Sequence, residues 1–429
     1  MRPKIPPENT PDRLWDVAVI GGGPAGMMAA GRAAEMGASV ILLEKNKGLG
    51  KKLLTTGGGR CNVTNAELNN KKFLAKFKES GKFLFSPFSQ WSVRESLDFF
   101  HTRNMATKEE AEQRVFPLSN KAQSVWDTLV GYVKEGGVEV LSGASVLKLN
   151  ADGTNIASLE LRGGRMIRAR SFILATGGTS HPETGSTGDG YSWLRELGHS
   201  VSEASAALVP IALKEPAPGA AGVSVRNAKV TLYQNEAKQA QQKGKILFTH
   251  VGLSGPCILN MSRDISELLK YGIVVIEIDL LPEMGYEKVN TALQDAFKEN
   301  SNKKIRNALK GLLAPALVPF VLKIAAIDAE TACNSVTRDA RVRLMRTLKH
   351  LRFEVKGLLG MEKAIITAGG LALTEVDFKT MRSLKYSNLY VVGDILNIDR
   401  PSGGYSLQLC WTTGFVAGSA AAASLADKR

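Results

Sequence analysis

The sequence predicts an α/β protein in which one parallel-sheet domain, carrying a β-meander, is interrupted by an insert that is part barrel-like and part helical. Three observations lead there. Near the N-terminus an apolar run, Val17–Ile20, is followed by the glycine turn Gly21–Gly26. An Ala/Met-rich stretch then runs to Gly37, and a second apolar run from Ser39 to Leu43 closes on Glu44. Between Val138 and Ala169, short alternating segments are separated by the turn pairs Asp152-Gly153 and Gly163-Gly164, the pattern of a meander. After Pro210 the chain changes to strand-like pieces separated by Gly, Pro and Gln, then to helical patterning, and returns to sheet-like patterning at Leu371.

The first of these has a chemical meaning. Strand, G-x-G-x-x-G turn, helix, strand and acid in that order make a βαβ dinucleotide fingerprint, so the first domain is expected to be Rossmann-like. Gly21 permits the tight turn, Gly23 lets the backbone approach a pyrophosphate, and Gly26 lets helix and strand pack closely. Pro24 and Ala25 open the helix whose N-terminus faces that charge. Glu44 lies 18 residues past Gly26, where a carboxylate can accept from a ribose.

Composition bounds the rest. At 429 residues the chain exceeds the roughly 250–300 that one core supports. The expected division is a discontinuous first domain, 1–207 with 364–429, and an insert, 208–363. Within the insert, 208–285 and 351–363 read as barrel-like and 286–350 as mostly helical, broken at Pro315 and Pro319. No apolar run approaches the ~20 residues of a membrane span, and the polar N-terminus lacks the core of a signal peptide. Cys61, Cys257, Cys333 and Cys410 are far apart with no Cys-x-x-Cys, so no zinc ribbon, dithiol centre or metal site is expected. These features suggest a cytoplasmic protein with free thiols. The net charge of +14 admits an anionic partner. Lys and Arg are nonetheless spread along the chain without a long run or an aromatic-plus-basic motif, so the expected partner is a small molecule rather than nucleic acid or membrane. The sequence does not speak to oligomeric state.

Local patterns fill in the elements. Lys71–Arg103 reads as helical, with Ser92 and Glu95 at capping-box spacing. Ser119–Lys134 reads as a helix ending before Gly136-Gly137. Val138–Leu141, Ser145–Leu149, Ile156–Leu161 and Arg165–Ala169 are the meander, and Ser171–Ala175 is a separate buried strand. Gln234–Gly244 reads as a polar hairpin tip or mobile loop. Ser254 is expected to cap the following helix, and Ala417–Leu425 is a small-residue helix.

Further glycine-rich stretches follow strand ends. Lys52, Thr56, Gly57–Gly59, Arg60 and Cys61 form a basic loop whose backbone N–H groups suit phosphates or the polar edge of a flavin. Cys61 reads as a packed small residue rather than a reactive thiol. Thr176-Gly177 and Gly393-Asp394 end buried strands, and Gly403–Gln408 opens the last helix, aiming N–H groups and a positive dipole outward.

The order of these elements resembles the two-dinucleotide-binding-domain flavoprotein superfamily. More narrowly it resembles the BaiN-like NAD(P)/FAD-dependent oxidoreductases, also called the aminoacetone-oxidase-type FAD-binding family. The segments that carry the resemblance are VIGGGPAGMMAA, KKLLTTGGGRCNVTN, QRVFPLSNKA, LATGGTSHPETGSTGDGY, ALVPI, LFTHVGLSGPCIL, ITAGG, KTMRS and LYVVGDILNIDRPSGGYSLQLCWTTG, spread from about residue 17 to 420. The resemblance implies noncovalent FAD. Gly23, Pro24 and Ala25 would line the pyrophosphate, Glu44 and Lys45 the adenosine ribose, and Lys52, Thr56, Gly58, Gly59, Arg60 and Cys61 the pyrophosphate and flavin. Val146 would bond the adenine through its backbone. Thr176, Gly177, Gly393, Asp394, Gly404, Tyr405, Ser406, Leu407 and Gln408 would close the site. Many members carry Tyr or Met at His181 and Glu at Asp394; Asp394 keeps the acceptor.

For acid–base work the candidates are His250 on the insert, His181 in the loop after Thr176-Gly177, and Tyr405. Packing is the rival role for Tyr405 and a structural hydrogen bond for His250. The expected function is hydride transfer through flavin N5 to a small organic substrate. An NAD(P)H-linked reductase of an activated C=C is favoured over an O2-using amine oxidase, an FAD-dependent RNA-modifying enzyme or a flavin-binding protein without turnover. With no second G-x-G-x-x-G βαβ unit, NAD(P)H would bind transiently.

Overall fold

In the computed structural model, which describes residues 13–360 and 366–426, β1 (Leu14–Ile20), α1 (Pro24–Glu35) and β2 (Val40–Glu44) form the first βαβ unit. Val17, Ala18, Val19, Ile41 and Leu42 have no exposed surface, as expected of parallel strands covered on both faces. The chain divides into two compact units, Met1–Ala206 with Ile366–Arg429, and Ala207–Ile365. The expected boundary at 363–364 lies outside the described residues.

In the first unit β1 sits between β2 and the strand Met166–Leu174, all parallel. The strand Leu389–Val391 adds beyond Met166–Leu174. Two expectations are corrected here. Glu139–Ser142 is not part of the meander; it is the parallel edge strand beside β2, reached by the helix Ala122–Glu135 as a crossover. Arg165–Ala169 and Ser171–Ala175 are one strand, Met166–Leu174, whose first residues pair with the meander hairpin Val146–Asp152/Asn155–Leu161 and whose later ones join the parallel sheet. Arg168 and Arg170 point outward, so their polarity interrupts the apolar run without interrupting the ladder.

The helical pattern of Lys71–Arg103 resolves into three helices, Asn70–Ala75, Gly81–Gln90 and Val93–Thr102. The capping box of Ser92 and Glu95 starts the third, and extended Trp91 ends the second. The last helix is longer than expected, Tyr405–Ala426. Its small residues bring it against α1: a Cβ on Gly414 would stand 2.5 Å from Ala25 O, and one on Gly418 2.5 Å from Ala29 O.

The second unit contains a closed six-stranded barrel ordered Ile211–Leu213, Gly252–Ser254, Ala237–Phe248, Ser224–Gln234, Val274–Asp279, Leu351–Leu358. Val230 pairs with Ile278 and Leu232 with Ile276, and all four are fully buried. Helices Tyr286–Glu299, Ile305–Ala308, Val318–Ile324 and Arg338–Lys349 lie between Val274–Asp279 and Leu351–Leu358 in the chain. Pro319 lies in the first turn of its helix, where it is tolerated. Of the two readings of Gln234–Gly244 the hairpin tip holds, shortened to two residues, with Ala237–Gly244 continuing as strand. The hairpin turns on Asn235-Glu236, both with positive φ, the geometry of a type I′ turn. Ser254 ends a strand and does not cap; the helix Pro256–Leu269 begins at Gly255 with no side-chain cap.

Candidate functional site

The register of the parallel sheet sets one row across Leu43, Ile20, Leu174 and Val391. The chain leaves that row at Glu44, Gly21, Ala175 and Val392, which gathers four strand-end loops at one edge of the first unit. Ligands of open parallel sheets bind outside this carboxyl edge.

At the centre Gly21 has φ +104, and a Cβ there would stand 2.5 Å from Ala175 O. A Cβ on Gly26 would overlap Gly21 O at 1.9 Å, whereas one on Gly23 would meet nothing. The turn is therefore packed beneath and open at the mouth of α1. Gly23 is the N-cap and makes no side-chain cap, and Pro24 is at the first position, so the first N–H groups remain for a ligand. Glu44 is buried beside it. Its Oε2 accepts from Gly22 N (2.9 Å), and its Oε1 from Asn46 N (2.7 Å) and Asn46 Nδ2 (2.8 Å). The carboxylate thus shapes the turn itself and keeps lone pairs for a hydroxyl. Lys45 Nζ pairs with Asp189 Oδ2 (2.8 Å) and Thr187 Oγ1 (2.5 Å), which ties this edge to the loop after Thr176.

Gly57, Gly58 and Gly59 follow one another at φ +57, +67 and +83 and are exposed, with open space over Gly58 and Gly59. Three consecutive left-handed residues suit glycine alone and present successive N–H groups as a nest. The neighbouring side chains divide. Half-buried Lys52 donates to Ser180 Oγ (3.2 Å); burial pushes its ammonium down, and the Asp394 charge opposes that shift. Arg60 turns away to Glu110 and Asn120 and lies over Phe116. Cys61 is fully buried and burial pushes its thiol up to about 12, so it packs and does not react. Thr56 Oγ1 donates to Leu53 O.

Thr176 and Gly177 follow the strand Met166–Leu174. Thr176 Oγ1 is buried and lacks a hydrogen-bond partner, an unmet need that a bound ligand can satisfy. Val146 begins a meander strand and is half-buried. His181 sits at φ +54 with Nδ1 2.9 Å from Glu183 Oε1.

At the fourth loop Gly393 has φ +74, and Asp394 Oδ1 is bonded to Arg400. Gly404 leads into the last helix at φ +101, where a Cβ would stand 2.3 Å from the Thr64 carbonyl carbon. With its amide turned so that both Oδ1 and Nδ2 find partners, Asn62 accepts at Oδ1 from Gly404 N (2.9 Å), joining the triplet loop to this turn. Past Gly404 the expected contacts separate. Ser406 Oγ accepts from Arg400 (2.9 Å). Tyr405 packs its ring on Phe73 (4.7 Å) and Phe77 (5.8 Å), and burial raises its phenol. Leu407 is buried. Gln408 donates to Ser92 O, Ser96 Oγ and Thr412 Oγ1 and accepts from Thr64 Oγ1, so its amide is engaged inside the fold.

His250 belongs to the second unit. It is exposed in the turn between Phe248 and Gly252, where Thr249 N donates to Gly252 O (2.8 Å). Arg400 and Asn62 are the residues that sequence reasoning passed over. Both lie inside quoted motifs, but only contacts distant in sequence show what they do. Among the described residues no cluster of His, Cys, Asp or Glu can hold a metal.

A family model described as the HI0933-like protein Rossmann domain matches residues 15–420. The chain belongs to that family. Among its relatives, the 3-dehydro-bile acid delta(4,6)-reductase of Clostridium scindens is 32% identical over 412 residues, 95% of this chain and 98% of the relative. The ribosomal RNA dihydrouridine synthase of Escherichia coli is 29% identical over 401 residues, 94% and 96% of the two chains. Among solved structures, a 3-ketosteroid-delta4-(5alpha)-dehydrogenase from Rhodococcus jostii RHA1 aligns with TM-score 0.54 at 15% identity, covering 96% of this chain and 97% of that one. A flavocytochrome c3 fumarate reductase aligns with TM-score 0.54 at 18% identity, covering 96% and 79%. This HI0933-like chain is an FAD-dependent oxidoreductase with a Rossmann-like FAD-binding domain. No helix among the described residues is long and apolar enough to cross a membrane.

Proposed function

We propose that the protein is a reductase of a C=C bond conjugated to a carbonyl in a small organic molecule, with NAD(P)H as transient electron donor. The observation that carries this reading is full-length similarity to a bile acid reductase, joined to an edge in the first unit that suits FAD. The fit rests on the open mouth over Gly23, Gly58 and Gly59 and on the orphaned Thr176 hydroxyl.

In this reading FAD is held noncovalently. Gly21 and Gly26 give the turn its shape, and the N–H groups after Gly23, with Pro24 and Ala25, take the pyrophosphate charge. Glu44 and Lys45 take the adenosine ribose, and Val146 the adenine. Thr56, Gly58 and Gly59 with Lys52 bind along the phosphates, while Cys61 packs beneath. Thr176, Gly177, Gly393, Asp394, Gly404 and Ser406 hold the remainder, with Tyr405 and Leu407 as packing. When bound, FAD supplies hydride to the β-carbon of the conjugated system. The chain's task is then to orient that carbon, exclude water and deliver a proton to the α-carbon; His181, on the loop after Thr176-Gly177 of the first unit, is the candidate donor. The balance is NAD(P)H, one proton and the unsaturated ketone going to NAD(P)+ and the saturated ketone.

A second reading keeps the reaction and changes the substrate: the uracil ring is also a C=C conjugated to a carbonyl. The +14 charge and the similarity to a ribosomal RNA dihydrouridine synthase favour it. One experiment separates the two. Holoenzyme is mixed with NADPH and either a 3-keto-4-ene steroid or unmodified ribosomal RNA, and product is identified by mass. Saturated steroid supports the main reading. Dihydrouridine with RNA affinity falling steeply with salt supports the second and overturns the first.

A further inference from the structure

Arg400 is 2% exposed and its side chain is wholly buried. It arrived in the fold as the sixth residue after Asp394, in a stretch without regular structure between Gly393–Ile395 and the last helix. Its guanidinium reaches three ways: Nη2 to Asp394 Oδ1, Nη1 to Ile398 O (2.7 Å) and Nε to Ser406 Oγ (2.9 Å). A buried guanidinium is costly unless every face is matched, and here the matches are one acid, one carbonyl and one hydroxyl. The two side-chain partners lie on opposite sides of the loop. Asp394 follows the strand Leu389–Val391, and Ser406 is in the first turn of the last helix.

We propose that Arg400 is a positioning residue for the FAD site, a buried strap that sets the Asp394 carboxylate and the Ser406 hydroxyl relative to one another. The inference rests on the assignment of Asp394 and Ser406 to FAD proposed above. Arg400 takes Oδ1 of Asp394 and leaves Oδ2 to accept from a ligand hydroxyl. It also fixes the first turn of the last helix, so that the N–H groups after Gly404 are aimed before the ligand arrives. Preorganisation of this kind improves affinity by reducing what must be ordered on binding. A lysine cannot replace it, because one ammonium lacks the planar fork that spans three acceptors.

The test is FAD titration of the apoprotein, read by the dissociation constant and by the visible circular dichroism of the bound flavin. Wild type is compared with Arg400→Gln, Arg400→Lys and Ser406→Ala. The expected result is a loss of about tenfold or more in FAD affinity for Arg400→Gln, equivalent to about 1.4 kcal/mol, with an altered dichroism spectrum. Arg400→Lys is expected to rescue neither, and Ser406→Ala to weaken binding by about threefold. A strap with only a structural role would lower the melting temperature while leaving the bound flavin's dichroism unchanged. Arg400→Gln within twofold of wild type with an unchanged spectrum overturns the proposal, as does full rescue by lysine. Should Arg400→Gln not fold, Ser406→Ala decides: unchanged affinity and dichroism overturn it. Wild type that binds no FAD overturns the underlying assignment as well.

Discussion

Glu44 shapes the turn and, in the proposed reading, also takes the adenosine ribose. Because its oxygens accept from Gly22 N and Asn46 N, Glu44→Ala removes a ribose acceptor and also leaves two donors of the turn unmatched. The expected cost is about 1–3 kcal/mol in stability together with weaker FAD retention; unchanged retention in a flavin titration contradicts the ribose role. Buried His199 pairs with half-buried Glu375, Nδ1 to Oε2 at 2.6 Å, and Ser383 Oγ lies 3.1 Å from Nε2. Ser383 Oγ already accepts from Lys385 N and Tyr386 N, so its proton goes to Nε2 and the imidazole is neutral with Nδ1 protonated. Burial holds His199 below its ordinary 6.5 against the pull of Glu375. Burial raises Glu375, but bonds from Ser200 and His199 outweigh it and bring the carboxyl down to about 2. Both shifts act in the same direction. Below 6.5 the unfolded chain binds a proton at His199 that the folded chain refuses, and from 4.5 towards 2 the same holds at Glu375. Melting temperature is therefore expected to fall as the solution is acidified. In Glu375→Gln, which also starts lower at neutral pH, the fall from 4.5 towards 2 is expected to be less steep, while the loss below 6.5 persists because the charge that opposed burial at His199 is gone. A parallel acid profile for the variant would show that the pair is not responsible.

At the scale of elements, the contact between α1 and the last helix depends on glycines that helix propensity disfavours. Gly414→Ala should gain up to about 1 kcal/mol from propensity. Its Cβ, however, meets a backbone carbonyl at 2.5 Å, and overpacking costs about 1–3 kcal/mol. The net expectation is destabilisation. Gly131→Ala is the control: it lies in the helix Ala122–Glu135 with only the end of Glu135 at 3.9 Å, and it should stabilise by about 0.5–1 kcal/mol in urea unfolding. The two substitutions moving together would refute the close-contact account. This contact also marks how far the sequence could be read. The βαβ unit was legible because its glycine spacing, apolar runs and closing acid are local. The helix register against α1, the merging of Met166–Leu174 into one strand and the placement of Glu139–Ser142 beside β2 depend on partners far along the chain. The same holds in the site. Gly57–Gly59 and Gly404 announced themselves by composition. Arg400 looked like an ordinary loop residue, and Gln408 looked available, until tertiary contacts showed one bonded to Asp394 and Ser406 and the other engaged inside the fold.

At the scale of the whole molecule, the first unit carries the Rossmann-like FAD-binding domain and the second a barrel with attached helices. The family and its relatives make the protein an FAD-dependent oxidoreductase. The proposed direction of electron flow is from NAD(P)H to a carbonyl-conjugated C=C, and the direct measurement is anaerobic flavin absorbance. NADH or NADPH is mixed with the purified holoenzyme, and a 3-keto-4-ene steroid is then added with oxygen excluded. The account predicts bleaching of the flavin band by one of the nucleotides and its return on addition of the enone, with one saturated product formed per flavin reoxidised. A flavin that neither nucleotide bleaches, or that recovers only when oxygen is admitted, would contradict it.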